Sequence, residues 1–433
     1  MKIREIYNYC KKRIMIYSGK GIFIALTQSK RNRLKKSDIL FICHDNHRTT
    51  YVNGLRYAPL IDTISDEIYS NFTKITLTGP FSKYHGNTCY GNVVMYNRAL
   101  LFAYIKRVVF MQSLTIKNVK TDPVVREWFS VLRIIQPKII IGINPSPELC
   151  IAAKSLNIWV ADIQHGILAP GNYYDIKKRA NINQRGWPNT ILCWDQFSKD
   201  FVDSNLAPFV QSIVIGHPMI FSNASKKLSY VSNDSVGKIN NPISVLVTLT
   251  NVSLDPFEDD VYLKEIGFPS TLINFIIKSG SFCIWNIRIH PVLIMKKKDY
   301  VFRKLSNIFK DMPNVLWEEC NNETIHGALS KCSVHITYNS ASAKDAAYIG
   351  IHTAVIDTRG EVYTYFEDLI KEGLVTIIDA DNHRDLKEWI INNCARISNS
   401  NALDSIPMIQ GRIRFKSFID SIELTIKESS KDY

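Results

Sequence analysis

Five times between residues 38 and 218 the chain runs apolar for several residues without alternation and then breaks on a polar residue or glycine: DILFICHD (38–45), KIIIGINP (138–145), IWVADIQHG (158–166), TILCWDQ (190–196) and SIVIGHP (212–218). A strand with one wet face alternates. A strand covered on both faces does not, and such strands belong to parallel sheets wrapped by crossover helices. The first half of the chain is therefore expected to be α/β.

A polar stretch, SNASKKLSYVSNDSVGKINNP (222–242), interrupts this rhythm and reads as an interdomain linker. The rhythm then restarts with ISVLVTLT (243–250), a helix near 269–279, FCIWNIRIHP (282–291), a helix near 298–310, NVLWEE (314–319), VHITYNS (334–340), a helix over 343–350, TAVID (353–357) and VTIID (375–379). Helical pattern follows from about 383 onward. At 433 residues, two cores are expected rather than one. The expected organisation is a basic arm over 1–37, an α/β domain over 38–221, the linker over 222–242, a second α/β domain over 243–405 and a C-terminal helix over 406–433. Ligands are expected at the carboxyl ends of the strands and in a cleft between the domains.

The formal charge is +13, and residues 1–40 hold eleven Lys or Arg against two acids, a local balance of +9. Interleaved with IMIYSGKGIFIAL (14–26), that charge suits an anionic membrane surface. No nucleic-acid-binding motif accompanies it. No uninterrupted apolar stretch is long enough to span a bilayer, and no cleavage site for a signal peptide follows the arm. The nine cysteines form no CxxC pair and several lie inside apolar runs, which fits reduced thiols in a cytoplasmic protein.

The strand ends carry the candidate chemistry. IWVADIQHG would deliver Asp162, Gln164 and His165 where open α/β sheets place ligands, with Gly166 permitting a sharp turn or a close approach. An imidazole there is suited to take a proton from a hydroxyl near neutral pH, and Asp162 could orient it or act as the base. In NIRIHP (286–291), alternation puts Arg288 and His290 on one face and Pro291 stops the strand, a cationic pair suited to phosphate or carboxylate. HITYNSAS (335–342) runs from a strand through Asn339 and Ser340 to a helix start at Ser342, whose hydroxyls and amides would suit an anion. Glu318, Glu319 and Glu323 follow a strand and could accept ribose hydroxyls. His44, Asp45 and His217 are weaker candidates for the acceptor side. No ligand spacing for a metal, no Walker loop and no nucleophile elbow is present, and the one DxD, Asp379 with Asp381, lies away from these clusters.

Taken together, QHG at one strand end, RIHP at a second and YNSAS before a small-residue helix resemble the GT-B glycosyltransferases of bacterial surface-polysaccharide synthesis. The nearest in pattern are sialyltransferases, capsule Kdo transferases and CDP-glycerol glycerophosphotransferases. The resemblance implies two Rossmann-like domains in series, 38–221 for the acceptor and 243–405 for the nucleotide sugar, and a nucleotide phosphate held by His290, Pro291, Ser340 and Ser342. The glycerophosphotransferase pattern makes His165 the base, and the sialyltransferase pattern makes it Asp162. It also implies a metal-independent transferase without a cofactor, taking a nucleotide-sugar donor, with a CMP-sugar favoured, and a lipopolysaccharide or capsule glycan acceptor. Such a protein would be peripheral to the inner face of the cytoplasmic membrane, held by residues 1–37, and would bind no nucleic acid. A nucleotide-sugar 2-epimerase and a non-catalytic membrane scaffold are the rival expectations.

Overall fold

The computed structural model describes residues 33–428 apart from 49, 79–81, 83, 85, 92, 112–115, 117, 169–183, 222–241, 251–258, 339, 358–362, 380–381 and 395–405. Residues 1–32 of the expected arm, 222–241 of the expected linker and Asn339 thus lie outside the described residues. The chain divides into two compact units: Met1–Ser222 with Ile413–Tyr433, and Asn223–Arg412.

The first unit holds strands β1 (Ile39–Cys43), β2 (Thr50–Val52), β3 (Leu55–Tyr57), β4 (Lys74–Thr78), β5 (Val93–Val94), β6 (Ile139–Gly142), β7 (Trp159–Ile163), β8 (Thr190–Cys193) and β9 (Gln211–Val214). Seven form one sheet in the order β5-β4-β1-β6-β7-β8-β9, and β2 and β3 pair separately as an antiparallel hairpin. Every pairing in the large sheet is parallel. Helices α1 (Pro59–Glu67), α2 (Asn97–Met111), α3 (Pro123–Ile135), α4 (Pro147–Lys154) and α5 (Gln196–Leu206) lie between these strands, and α6 (Pro218–Phe221) follows the last of them.

Consecutive strand residues point to opposite faces, so each strand feeds two cores. Leu40 and Ile42 of β1, Ile75 and Leu77 of β4 and Ile140 of β6 pack beneath α2, α3 and α4. Ile39, Phe41, Ile139 and Ile141 pack on the other face with Ile61 and Ile64 of α1. This double burial is the reason the strands read as unbroken apolar runs.

The second unit repeats the plan. Strands β10 (Ser244–Thr248), β11 (Ile284–Arg288), β12 (Val315–Leu316), β13 (Val334–Thr337), β14 (Thr353–Ile356) and β15 (Val375–Ile378) form a sheet in the order β12-β11-β10-β13-β14-β15. All its pairings are parallel. Helices α7 (Val261–Ile266), α8 (Ser270–Ser279), α9 (Pro291–Ile308), α10 (Glu319–Asn322), α11 (Ile325–Ser330), α12 (Ser342–Tyr348), α13 (Tyr363–Lys371) and α14 (His383–Cys394) accompany it. Trp285, Phe268, Phe275 and Val301 lie at the centre of its core.

The last helix, α15 (Ile406–Glu428), returns Phe415, Phe418, Ile419, Ile422 and Ile426 to the β1, β6 and β7 core of the first unit. Glu423, buried on the same helix, accepts the Tyr69 amide at 2.9 Å.

Both sheets reverse strand order beside their first strand, between β1 and β6 in one unit and between β10 and β13 in the other. That is the doubly wound arrangement, whose ligand site lies off the carboxyl ends at the reversal. Among the described residues no helix is long and apolar enough to cross a membrane. Of the eight described cysteines, all but Cys394 are buried, and none is in a disulfide.

Candidate functional site

In the first unit the ends of β1, β6 and β7 converge on Asn144. This residue follows β6 with a left-handed φ of 54°, a conformation Asn tolerates better than most side chains. Its amide donates to Asp162 Oδ1 at 2.8 Å, and the His44 ring hydrogen-bonds its backbone. Asp162, 1% exposed at the end of β7, therefore ties the β6 turn to its own strand.

Gln164 does the same on the other side. Its Nε2 donates to the Gly166 carbonyl and to Ser198 Oγ, both at 2.9 Å, while its Oε1 accepts the Trp194 amide at 2.7 Å. Asp162, two residues before the QHG motif, and the amide of Gln164 thus fix the loop, and His165 stands half-buried beside them. Gly166 takes no left-handed φ, and a Cβ built there meets nothing within 4 Å. A sharp turn does not require glycine at this position, and the space beside the backbone is open.

The sequence reading did not single out His47. It closes a short 3-10 turn, Asp45–His47, directly after β1, and its ring meets that of His165 edge to face with centroids 5.3 Å apart. Burial, and then the neighbouring His165 and His44, hold His47 well below the usual imidazole range. Burial also lowers His44. The signal for His47 was present in CHDNHR: residues three apart on one helical turn lie on the same side. Asp45 accepts a hydrogen bond from Ser82. His217, buried after β9, packs its ring on Trp194 at 4.3 Å.

In the second unit the expected alternation holds, with Arg288 and His290 half-buried and Ile287 and Ile289 buried. The Arg288 guanidinium donates to the carbonyls of Cys320 and Glu323, clamping α10 to the strand end, and burial lowers its pKa. Asn321 extends the clamp by accepting the Ile289 amide at 2.9 Å and donating to the Ile287 carbonyl at 3.0 Å.

His290 is the N-cap of α9: its Nδ1 accepts the Val292 amide at 3.2 Å, and Pro291 occupies the first helical position. Leu293 and Ile294 donate to the His290 carbonyl, so the first-turn amides are satisfied within the helix. An Nδ1 that accepts places the neutral ring's proton on Nε2, making that atom a donor.

Ser342 starts α12, and its hydroxyl lies 2.7 Å from Thr248 Oγ1 in a buried network with His335. His335 Nε2 contacts Thr248 at 2.9 Å, and its Nδ1 contacts Thr353 at 3.1 Å. Burial pushes this histidine down to about 3. Ser342 thus joins β10 and β13 internally, and half-buried Ser340 accepts the Ser342 amide at 3.3 Å. Glu318 and Glu319 are exposed at α10, and Glu323 pairs with Lys331 at 2.7 Å.

The structure therefore gathers His44, Asp45, Asp162, Gln164, His165 and Gly166 at the strand ends of one unit, and Arg288, His290, Pro291 and Glu323 at those of the other. Ser342 sits in the second sheet's interior.

No family model and no curated protein matches the sequence. Solved structures do match. A putative UDP-N-acetylglucosamine 2-epimerase from Listeria monocytogenes is similar over 90% of this chain and 97% of its own, with a TM-score of 0.54 at 11% identity. A histidine-to-alanine variant of the wall teichoic acid polymerase TagF is similar over 99% of both chains, with a TM-score of 0.53 at 13% identity. MnaA from S. aureus, in a structure with UDP, is similar over 86% of this chain and 92% of its own, at 0.51 and 13%. At such identities the likeness is one of fold, and the fold is GT-B: two Rossmann-like domains in series, each on a parallel sheet.

Proposed function

We propose that this protein is a glycosyltransferase using a nucleotide-activated sugar, with unit one serving the acceptor and unit two the nucleotide. The observation that carries the reading is His165: a half-buried imidazole at a ligand-bearing strand end, braced by Asp162 and Gln164 and packed against a neutral His47. His165 takes the proton of an acceptor hydroxyl, whose oxygen attacks the anomeric carbon as the bond from that carbon to the phosphate oxygen breaks. A general base of this kind contributes about 10² to 10⁴ in rate. His290 Nε2–H, at the positive end of α9, stabilises charge on the departing phosphate. No metal takes part in this scheme. Asp162, buried and engaged by Asn144, is the positioning residue, and His165 is the base.

The resemblance to sialyl-, Kdo- and glycerophosphotransferases makes a CMP- or CDP-linked donor the first to try, and a lipid-linked lipopolysaccharide or capsule glycan the first acceptor class. Thermal-shift titration with CMP, CDP, UDP, GDP and dTDP tests the donor half. One nucleotide should raise the midpoint, and His290→Ala should abolish that rise. If every nucleotide leaves the midpoint unmoved, the protein is not a nucleotide-sugar enzyme and a scaffold becomes the reading. A second reading, a nucleotide-sugar 2-epimerase, is favoured by the TM-score of 0.54 to such an enzyme. Release of an isomerised nucleotide sugar without any acceptor would decide for it.

A further inference from the structure

Helix α2 is apolar on both sides. Leu100 and Ala103 join the core beneath the sheet, yet Phe102, Ile105 and Val109 are 44%, 46% and 59% exposed. At 3.6 residues per turn these three share one stripe, about 100° wide, with exposed Arg98 and Lys106. Among the described residues nothing covers this apolar stripe, and residues grouped along one helix make a patch rather than a scatter.

Helix α3 packs on the same face of the sheet, so its outer side looks the same way as that of α2. It adds exposed Arg126 and Arg133, which with Lys120 border a concavity of about 640 Å³. The carboxylates of this region are turned inward. Asp122, fully buried, takes Arg107 at 2.6 Å and caps α3, Glu148 takes Arg107 at 2.7 Å, and Glu127 takes the Tyr96 hydroxyl.

We propose that the outer face of α2 and α3 docks the protein on an anionic lipid surface. Phe102, Ile105 and Val109 enter the boundary between headgroups and acyl chains, while Arg98, Lys106, Lys120, Arg126 and Arg133 meet lipid phosphates. Charge selects the occupant. The N-terminal segment, with eleven bases against two acids in residues 1–40, carries the same sign and is repelled. A symmetric second copy would oppose the same cations to themselves. Nucleic acid satisfies the cations but leaves three apolar side chains against a polar backbone. This inference does not rest on the nucleotide-sugar reading, because lipid binding needs neither donor nor acceptor.

The test is flotation of the full chain with phosphatidylcholine vesicles, with and without phosphatidylglycerol. The wild type should float with the anionic vesicles only. Phe102→Ser/Ile105→Ser/Val109→Ser should weaken partition at least tenfold, roughly the loss expected from withdrawing three apolar side chains from the boundary. Lys106→Glu/Arg126→Glu/Arg133→Glu should weaken it by roughly a hundredfold or more. Both variants keep residues 1–32, and both should retain the wild-type unfolding midpoint because the altered side chains are exposed. If either variant floats like the wild type, the binding belongs elsewhere and the proposal fails. It fails equally if the wild type does not float, or if sedimentation velocity shows a dimer that the serine variant dissociates. Duplex DNA binding lost in the glutamate variant but kept in the serine variant, with no flotation difference, would make the face a polyanion site instead.

Discussion

The rings of His47 and His165, delivered by two different strand ends of one sheet, meet edge to face at an interplanar angle of 78°. One cannot take a proton without facing the other, and burial keeps His47 neutral. His165→Ala should lower turnover by about 10² to 10⁴ while leaving the nucleotide-induced thermal shift intact. His47→Ala should lower kcat by about tenfold to a hundredfold by freeing the neighbouring ring, whereas His47→Phe, which restores an aromatic edge, should recover most of it. Steady-state kinetics of the three variants decide this. Wild-type kcat in His47→Ala would remove the positioning role.

His290→Ala removes a helix cap and a phosphate donor together. The cap alone is worth about 1 kcal/mol, so the unliganded midpoint should fall by a few degrees. His290→Asn, which restores a capping side chain, should recover that midpoint but not nucleotide binding. Differential scanning fluorimetry with and without nucleotide separates the two losses.

His335 makes stability pH-dependent in a defined direction. Above its ordinary value of 6.5 both the folded and the unfolded chain hold the ring neutral. Below 6.5 the unfolded chain gains a proton that the folded ring refuses until about 3, so stability declines with acid through that window. The slope from this group is at most about 1.4 kcal/mol per pH unit. His335→Gln should be less stable at pH above 6.5 yet show a shallower decline below it. Identical slopes in thermal melts would place the acid sensitivity elsewhere.

Two glycines should behave oppositely. Gly267 ends α7 at φ 73°, and a Cβ there would lie 1.7 Å from the Thr250 carbonyl oxygen, so Gly267→Ala should cost at least about 2 kcal/mol. Gly166→Ala meets nothing within 4 Å and should leave the melting midpoint within a degree or two of wild type. If its turnover falls all the same, the open space beside His165 belongs to the acceptor.

Much of this was legible because burial on both faces writes itself as unbroken apolar runs. Strands β1, β6, β7, β8 and β10 fall inside the runs read from the sequence. Strand β4 was missed because Lys-Ile-Thr-Leu-Thr alternates, its Thr76 and Thr78 being buried all the same. Strand β5 is only two residues long, too short for any period. Helix α9 breaks at Lys297, whose φ of −144° is not helical, so its second part is the helix expected near 298, while the first part, from Pro291 and capped by His290, was missed. At the site, Asp162 and His165 were readable from their position at a strand end alone. The burial of Ser342 with His335 was not, since partners such as Thr248 are brought in by a crossover and not by the local pattern. His335 itself sits inside a run that reads simply as strand.

Helix α15 gives the molecule an order of assembly. Phe415, Phe418 and Ile422 complete a core that β1 and β6 begin, yet they are made only after the whole second unit. On a ribosome adding roughly 5 to 20 residues per second, the first unit waits on the order of ten to forty seconds with an uncovered greasy side. A nascent chain stalled before residue 413 should hold chaperone, and one extended past residue 426 should let it go.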